Sequence, residues 1–144
     1  VLVFFGPVAV LGTMVTQAET ITWWAVVASV GVGLNAVALL MVNNVRDVEG
    51  DAVAGKRTLA VKLGEVRTRQ LFAFVVLAPV ACAIIVSFAL PWALLATGVA
   101  LPALLAAISV LVGARGIALK PVFLGLGWIG MAYAALLALG ILVS

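Results

Sequence analysis

Long runs of uncharged, hydrophobic residues are the feature that most limits how this chain can fold. Four of the runs contain no Asp, Glu, Lys or Arg and are close to the length of about 20 residues that a helix needs to cross a bilayer. They cover residues 21–42, 71–90, 92–112 and 122–143, and a shorter fifth run covers residues 1–16. The bilayer core offers no water to satisfy backbone polar groups, so such segments must be helical. The sequence therefore predicts an all-α membrane protein, a bundle of about five transmembrane helices that forms a single domain over residues 1–144.

The composition agrees with a membrane protein, since 67% of the residues are hydrophobic and only 9% are charged. Val1 already lies inside an apolar run, with no Met start, basic leader or small-residue cleavage site before it, which argues against a secretory signal peptide. We therefore expect the chain to be part of a longer protein. In the last run, Gly125, Gly127 and Gly130 predict close helix packing through small residues.

The basic residues are confined to two connections between the hydrophobic runs. A predicted loop, residues 43–69, contains six of the eight and is called the charged segment below; the link of residues 113–121 contains Arg115 and Lys120. If five helices alternate in direction, both connections lie on one side of the membrane, which the positive-inside rule makes cytoplasmic. We expect a multi-pass protein of the cell inner or plasma membrane, with its N-terminus inside and its C-terminus outside.

Several classes of function are disfavoured by the residue inventory. The chain has no histidine and one cysteine, Cys82, which lies in an apolar run and is expected to be a buried apolar residue. The basic residues have no aromatic residues interleaved with them, which argues against a nucleic-acid partner. A transporter fragment, the rival outside the enzymes, usually carries ionisable residues at the membrane midplane, and the hydrophobic runs contain none.

The charged segment begins with polar residues at a spacing of four. Asn43, Asp47 and Asp51 would line one face if the preceding helix continues into the segment, whereas Glu49 would point elsewhere. Mg²⁺ prefers oxygen ligands and is usually held by one or two carboxylates together with substrate phosphates. Asp47 and Asp51 are therefore the candidate catalytic metal ligands, and Asn43 is a further candidate ligand.

Cations accompany these carboxylates, because ten of the thirteen charged residues of the chain lie between positions 46 and 69. Arg46, Lys56 and Arg57 would neutralise the phosphate charge that a metal leaves unbalanced, which makes them candidate diphosphate-binding residues. A solvated loop with no role beyond topology is the alternative. The sequence of residues 50–58 also resembles a P-loop motif. Arg57, however, occupies the position where that motif needs Ser or Thr, and a predicted membrane helix precedes the motif instead of a strand.

The run from Asn43 to Gly64, N-N-x-R-D-x-x-x-D-x-x-x-G-K-R-T-L-A-V-x-L-G, resembles the UbiA superfamily of membrane prenyltransferases. Within it, the sequence is most similar to the branch that acts on 1,4-dihydroxy-2-naphthoate. The resemblance implies a nine-helix fold with two cytoplasmic aspartate-rich motifs, of which this chain has the second. The five runs would then be the fifth to ninth spans, and Asp47 and Asp51 would be Mg²⁺ ligands.

The resemblance also implies an activity. A polyprenyl group would move from its diphosphate to an aromatic acceptor, 1,4-dihydroxy-2-naphthoate, in menaquinone biosynthesis, with Mg²⁺ as cofactor and the lipid bilayer as surroundings. No other D-x-x-x-D motif occurs in the chain, so the chain alone is expected to be inactive. An enzyme of the same superfamily with another aromatic acceptor remains an alternative, as does a non-catalytic membrane fragment.

Overall fold

Helices follow one another along nearly the whole chain. The computed structural model describes residues 1–144, apart from the side chains of Glu49 and Ala52. The α-helices of the described chain are α1 (Ala9–Ala18), α2 (Trp23–Arg46), α3 (Val48–Val53), α4 (Leu59–Leu63), α5 (Glu65–Ser87), α6 (Ala100–Leu111) and α7 (Lys120–Leu142). A π-helical turn, Phe4–Val8, leads into α1, and the 3₁₀ segments Pro91–Val99 and Gly116–Leu119 lead into α6 and α7. The backbone so described contains no β-strand.

The apolar helices coincide with the hydrophobic runs and extend beyond them. Among the described residues, four helices are long and apolar enough to cross a membrane: Trp23–Arg46, Glu65–Ser87, Pro91–Leu111 and Gly116–Leu142. The helix Phe4–Ala18 is apolar but shorter. A nucleated helix gains one hydrogen bond for each residue that it adds, so it continues into charged residues past the apolar core. The prediction of an all-α, multi-pass membrane protein is confirmed.

Helices α2 and α5 form the centre of the bundle. Helix α2 packs along α5 and also contacts α7, while α5 contacts α6 and the segment Pro91–Val99. Val42 of α2 and Phe72 of α5 are buried in this core. Bulky apolar side chains such as Phe74 and Trp128 are exposed, as on helices that are surrounded by lipid or by further helices. The contact between α2 and α7 brings the start of α7 close to the charged end of α2.

The glycines that permit close helix packing are not those that the sequence indicated. A Cβ at Gly125 or Gly127 would meet no described atom within 4 Å, and one at Gly130 would lie 3.6 Å from Asn35 Cβ, an ordinary contact. The prediction of close packing at Gly125 and Gly127 is therefore wrong within the described residues, because a side chain at either position would meet no neighbour.

Close approach occurs instead on α2 and at Gly140 near the end of α7, where a Cβ would collide with the backbone of Trp92. A Cβ at Gly31 would collide with the Tyr133 hydroxyl of α7, and one at Gly33 would lie 2.6 Å from the Leu2 carbonyl oxygen. At the same crossing, a Cβ at Gly6 would lie 2.5 Å from the Ser29 carbonyl oxygen. Glycines on α2 thus let both the N-terminal helical turn and α7 pack directly against its backbone.

Candidate active site

Backbone hydrogen bonds carry the helical register of α2 into the charged segment. Helix α2 ends at Arg46 and α3 begins at Val48, with Asp47 between them. The Asp47 N–H nevertheless donates to the Asn43 carbonyl at 3.0 Å, and the Asp51 N–H donates to the Asp47 carbonyl at 2.8 Å. Asn43, Asp47 and Asp51 therefore lie on successive turns, as their spacing of four requires. The prediction for Glu49 concerns a side chain outside the described part of the structure.

Asp47 is held by the arginine that precedes it. Arg46 Nε donates to Asp47 Oδ1 at 2.8 Å and Arg46 Nη2 donates to Oδ2 at 2.9 Å, and both side chains are exposed. These hydrogen bonds lower the pKa of the Asp47 carboxyl; partial burial opposes the change, and the charges of Arg46 and Lys56 add to the lowering. Asp47 is consequently an ionised carboxylate at neutral pH, open to solvent.

Asp51 is buried and is held by a lysine from the following turn. Lys56 Nζ donates to Asp51 Oδ1 at 2.9 Å, and the Lys56 N–H donates to the Asp51 carbonyl at 2.9 Å. The hydrogen bond to Asp51 raises the pKa of the Lys56 ammonium, and the charges of Asp51 and Asp47 raise it further. Gly55 makes this turn possible, since its φ of 69° lies in the left-handed region that other residues avoid.

The part of the motif after Lys56 shapes the segment and contains no carboxylate. Arg57 is exposed on its surface. Thr58 caps α4, because its hydroxyl oxygen accepts from the Val61 N–H at 3.3 Å. Gly64, with φ of 78°, forms the sharp junction between α4 and α5. The spacing of Gly55, Thr58 and Gly64 in the sequence run thus has a local structural cause.

A second charged cluster was missed by sequence reasoning, which treated its members as topology signals only. Glu65 Oε1 accepts from Arg69 Nη2 at 2.7 Å, and Glu65 Oε2 accepts from Arg115 Nη2 at 2.8 Å. Arg69 is nearly buried and donates to the carbonyl oxygens of Val110 and, at 3.0 Å, Ala114. The cluster joins the start of α5 to the end of α6. The spacing of four between Glu65 and Arg69 was its one signal in the sequence.

A cavity of about 540 Å³ opens beside the Asp47 carboxylate. Its walls come from the end of α2 and from the start of α7, and they include Arg46, Asp47, Ile117, Lys120, Phe123 and Leu124. A larger cavity of about 1170 Å³ lies between α6 and α7, is lined mainly by apolar residues, and touches none of the predicted site residues. Of these two cavities, the smaller one therefore adjoins the candidate metal ligand Asp47.

The residues at the site suit a metal that is shared with a phosphate ligand. Within the described side chains, no group of three or more His, Cys, Asp or Glu residues is arranged to hold a metal ion by itself. Asp47 and Asp51 supply two carboxylates beside two cations. Mg²⁺ commonly takes one or two protein carboxylates and fills its other positions with water and substrate phosphates. The donor set thus fits Mg²⁺ with a diphosphate, and does not form a closed protein site.

Comparison with known proteins identifies the family. The model of the UbiA prenyltransferase family matches residues 1–118. A 1,4-dihydroxy-2-naphthoate octaprenyltransferase of Mycobacterium tuberculosis is 42% identical over 122 residues, which is 85% of this chain and 42% of that protein. One of the same name from Haemophilus influenzae is 36% identical over 147 residues, covering 100% of this chain and 48% of that protein.

The alignments cover only part of each relative. A further octaprenyltransferase of the same name, from Escherichia coli, is 40% identical over 82 residues, which is 57% of this chain and 27% of that protein. The chain thus spans about half the length, or less, of the curated relatives that it matches. No solved structure gave a significant match. Together, the family match over most of the chain and the identity to these relatives show that the chain belongs to the UbiA prenyltransferase family.

Proposed function

We propose that this chain is the C-terminal part of a Mg²⁺-dependent membrane prenyltransferase, which moves a polyprenyl group from its diphosphate to 1,4-dihydroxy-2-naphthoate in menaquinone biosynthesis. The observation that carries the proposal is the pair Asp47 and Asp51, on successive turns at the charged end of α2, each beside a cation. The names of the similar proteins, which are 1,4-dihydroxy-2-naphthoate octaprenyltransferases, support the choice of acceptor. In this proposal the charged segment faces the cytoplasm, at the membrane surface where the diphosphate end of the polyprenyl donor lies.

Each residue of the site has a part in the proposal. Asp47 and Asp51 would hold Mg²⁺, with Asn43 as a further oxygen ligand, and the ion would supply positive charge for the leaving diphosphate. Arg46 and Lys56 pair with the two aspartates in this structure, and they would bind diphosphate oxygens if the carboxylates held a metal ion instead. Arg57, exposed beside Lys56, adds a third cation.

The transfer is an electrophilic substitution on an electron-rich ring. The allylic C–O bond breaks, and its electron pair leaves with the diphosphate, whose charge the cations stabilise. A ring carbon of the acceptor then forms a C–C bond to the allylic carbon, and the ring carboxylate leaves as CO₂, which yields a prenylated naphthohydroquinone. The apolar helices hold the polyprenyl tail and keep water away from the cationic carbon.

A second aspartate-rich motif is required by the proposal and is expected in the part of the relatives that this chain does not cover. We expect the 144-residue chain, inserted in membranes by itself, to form no prenylated product. The full-length protein should convert 1,4-dihydroxy-2-naphthoate and octaprenyl diphosphate when Mg²⁺ is supplied, and should lose this activity in EDTA. Product formation followed by mass spectrometry tests both expectations, and equal or faster turnover of other aromatic acids, such as 4-hydroxybenzoate, would favour the alternative acceptor.

A further inference from the structure

One face of α7 and of the 3₁₀ segment before it forms a wall of the 540 Å³ cavity at the candidate metal site. Ile117, Lys120 and Phe123 lie on this wall, and Asp47 and Arg46 of α2 lie opposite. The residues of the wall recur at helical spacing, three apart, so a single face of the chain presents all of them to the cavity. The packing of α7 on α2 is what brings this face to the carboxylate.

The cavity has a charged part and an apolar part. Ile117, Phe123 and Leu124 supply apolar and aromatic surface, while Lys120 supplies an exposed ammonium group. The guanidinium of Arg46 is already engaged by both oxygens of Asp47, whereas Lys120 takes part in none of the ion pairs found among the described side chains. The volume falls within the range of about 300–1,000 Å³ that is typical of small-molecule sites.

We propose that Lys120 is a specificity-determining residue, which binds the carboxylate of the aromatic acceptor while the ring lies against Phe123 beside Asp47. The inference rests on the proposed function, since it concerns the acceptor of that reaction. An ammonium group at the edge of an aromatic pocket matches a planar, aromatic acid, because it pairs with the carboxylate and leaves the ring in apolar surroundings. Diphosphate matches less well, because three side chains of the wall are apolar and would leave its oxygens without partners.

Steady-state kinetics of the full-length enzyme test the assignment. Lys120→Met keeps the length of the side chain and removes its charge, and Lys62→Met is the matched control, an exposed lysine of α4 that does not line the cavity. We expect Lys120→Met to raise KM for 1,4-dihydroxy-2-naphthoate on the order of ten- to a hundredfold, the loss of one charge-assisted hydrogen bond. KM for octaprenyl diphosphate should change little, and Lys120→Arg should restore much of the acceptor affinity.

Binding of probes that do not react separates this inference from the proposed function. Equilibrium dialysis of 2-naphthoate and of 2-naphthol against purified protein compares a ring with and without the carboxylate. Lys120→Met should weaken the binding of 2-naphthoate and leave the binding of 2-naphthol unchanged. The assignment is overturned if the variant raises KM for octaprenyl diphosphate instead, or if neither acceptor KM nor 2-naphthoate binding changes. A wild-type protein that binds 2-naphthoate through Lys120 but makes no prenylated product would contradict the proposed function and leave the site intact.

Discussion

At the scale of single residues, the charged segment owes its shape to a few conformational requirements. Gly55 and Gly64 adopt positive φ angles at its two turns, and the Thr58 hydroxyl caps the short helix between them. Without the turn at Gly55, Lys56 would not fold back to reach Asp51. These residues therefore position the candidate site without belonging to its chemistry.

Among the charged residues other than Asp47 and Asp51, Arg69 is the one whose substitution we expect to destabilise the protein most. Its guanidinium is nearly buried and donates to Glu65 and to the carbonyls of Val110 and Ala114. Arg69→Met would leave the Ala114 carbonyl unsatisfied and would remove one of the two hydrogen bonds that the Val110 carbonyl accepts, so it should lower the free energy of unfolding by about 2–3 kcal/mol. Denaturant titration in detergent micelles measures the change. Arg67→Met, an exposed arginine on the same helix, is the control and should change it little.

At the scale of elements, the long helices could be foreseen and the short ones could not. An uncharged run that is long enough to cross a bilayer can hardly form anything but a helix. The four long helices, which contain α2, α5, α6 and α7, could therefore be predicted from composition. Helices α3 and α4 are too short for periodicity to reveal, and they depend on caps and turns. Glu65 and Arg115 are 50 residues apart, so their pairing depends on helix packing that no local pattern encodes.

The local geometry of the candidate site could be predicted to a similar extent. The spacing of four placed Asn43, Asp47 and Asp51 together because helical hydrogen bonds cross the junction of α2 and α3. The cavity wall that carries Lys120 was not foreseen, because it exists only where α7 packs against α2. The sequence also predicted close packing at Gly125, Gly127 and Gly130, whereas the tight contacts involve other glycines, among them Gly31 and Gly140.

The packing of α2 against α7 makes a prediction at Gly31. A methyl group at this position would collide with the Tyr133 hydroxyl, so Gly31→Ala should destabilise the bundle by about 1–3 kcal/mol. Adding Tyr133→Phe removes the colliding oxygen and should recover part of the loss. Gly125→Ala, which introduces its methyl group into open space, should be close to neutral. Equal losses at both glycines in the same denaturant titration would contradict this packing.

At the scale of the whole molecule, the distribution of charge predicts the orientation in the membrane. All eight basic residues lie in the charged segment and the link before α7, so we expect both to face the cytoplasm and Ser144 to face outward. Single cysteines at Arg57, Arg115 and Ser144, in a Cys82→Ser background, report this with a membrane-impermeant maleimide. In intact cells only the cysteine at position 144 should react. Labelling of Arg57→Cys from outside would reverse the topology.

The central claim, that Asp47 and Asp51 together hold the metal and diphosphate, is tested most directly by turnover of isosteric variants. In the full-length enzyme at saturating Mg²⁺, Asp47→Asn and Asp51→Asn keep the side-chain size but remove the charge. Glu49→Gln is the matched control, since it removes the same charge from the same segment. Membrane insertion of each variant is checked separately by the amount of protein recovered in the membrane fraction.

We expect kcat to fall about a hundredfold or more for each aspartate variant, a cost on the order of 3 kcal/mol in transition-state stabilisation, and to change only a few-fold for the control. If Asp47→Asn and Asp51→Asn instead remain within about threefold of Glu49→Gln, a difference of less than 1 kcal/mol, the two aspartates do not hold the metal and the charged segment is only a connector.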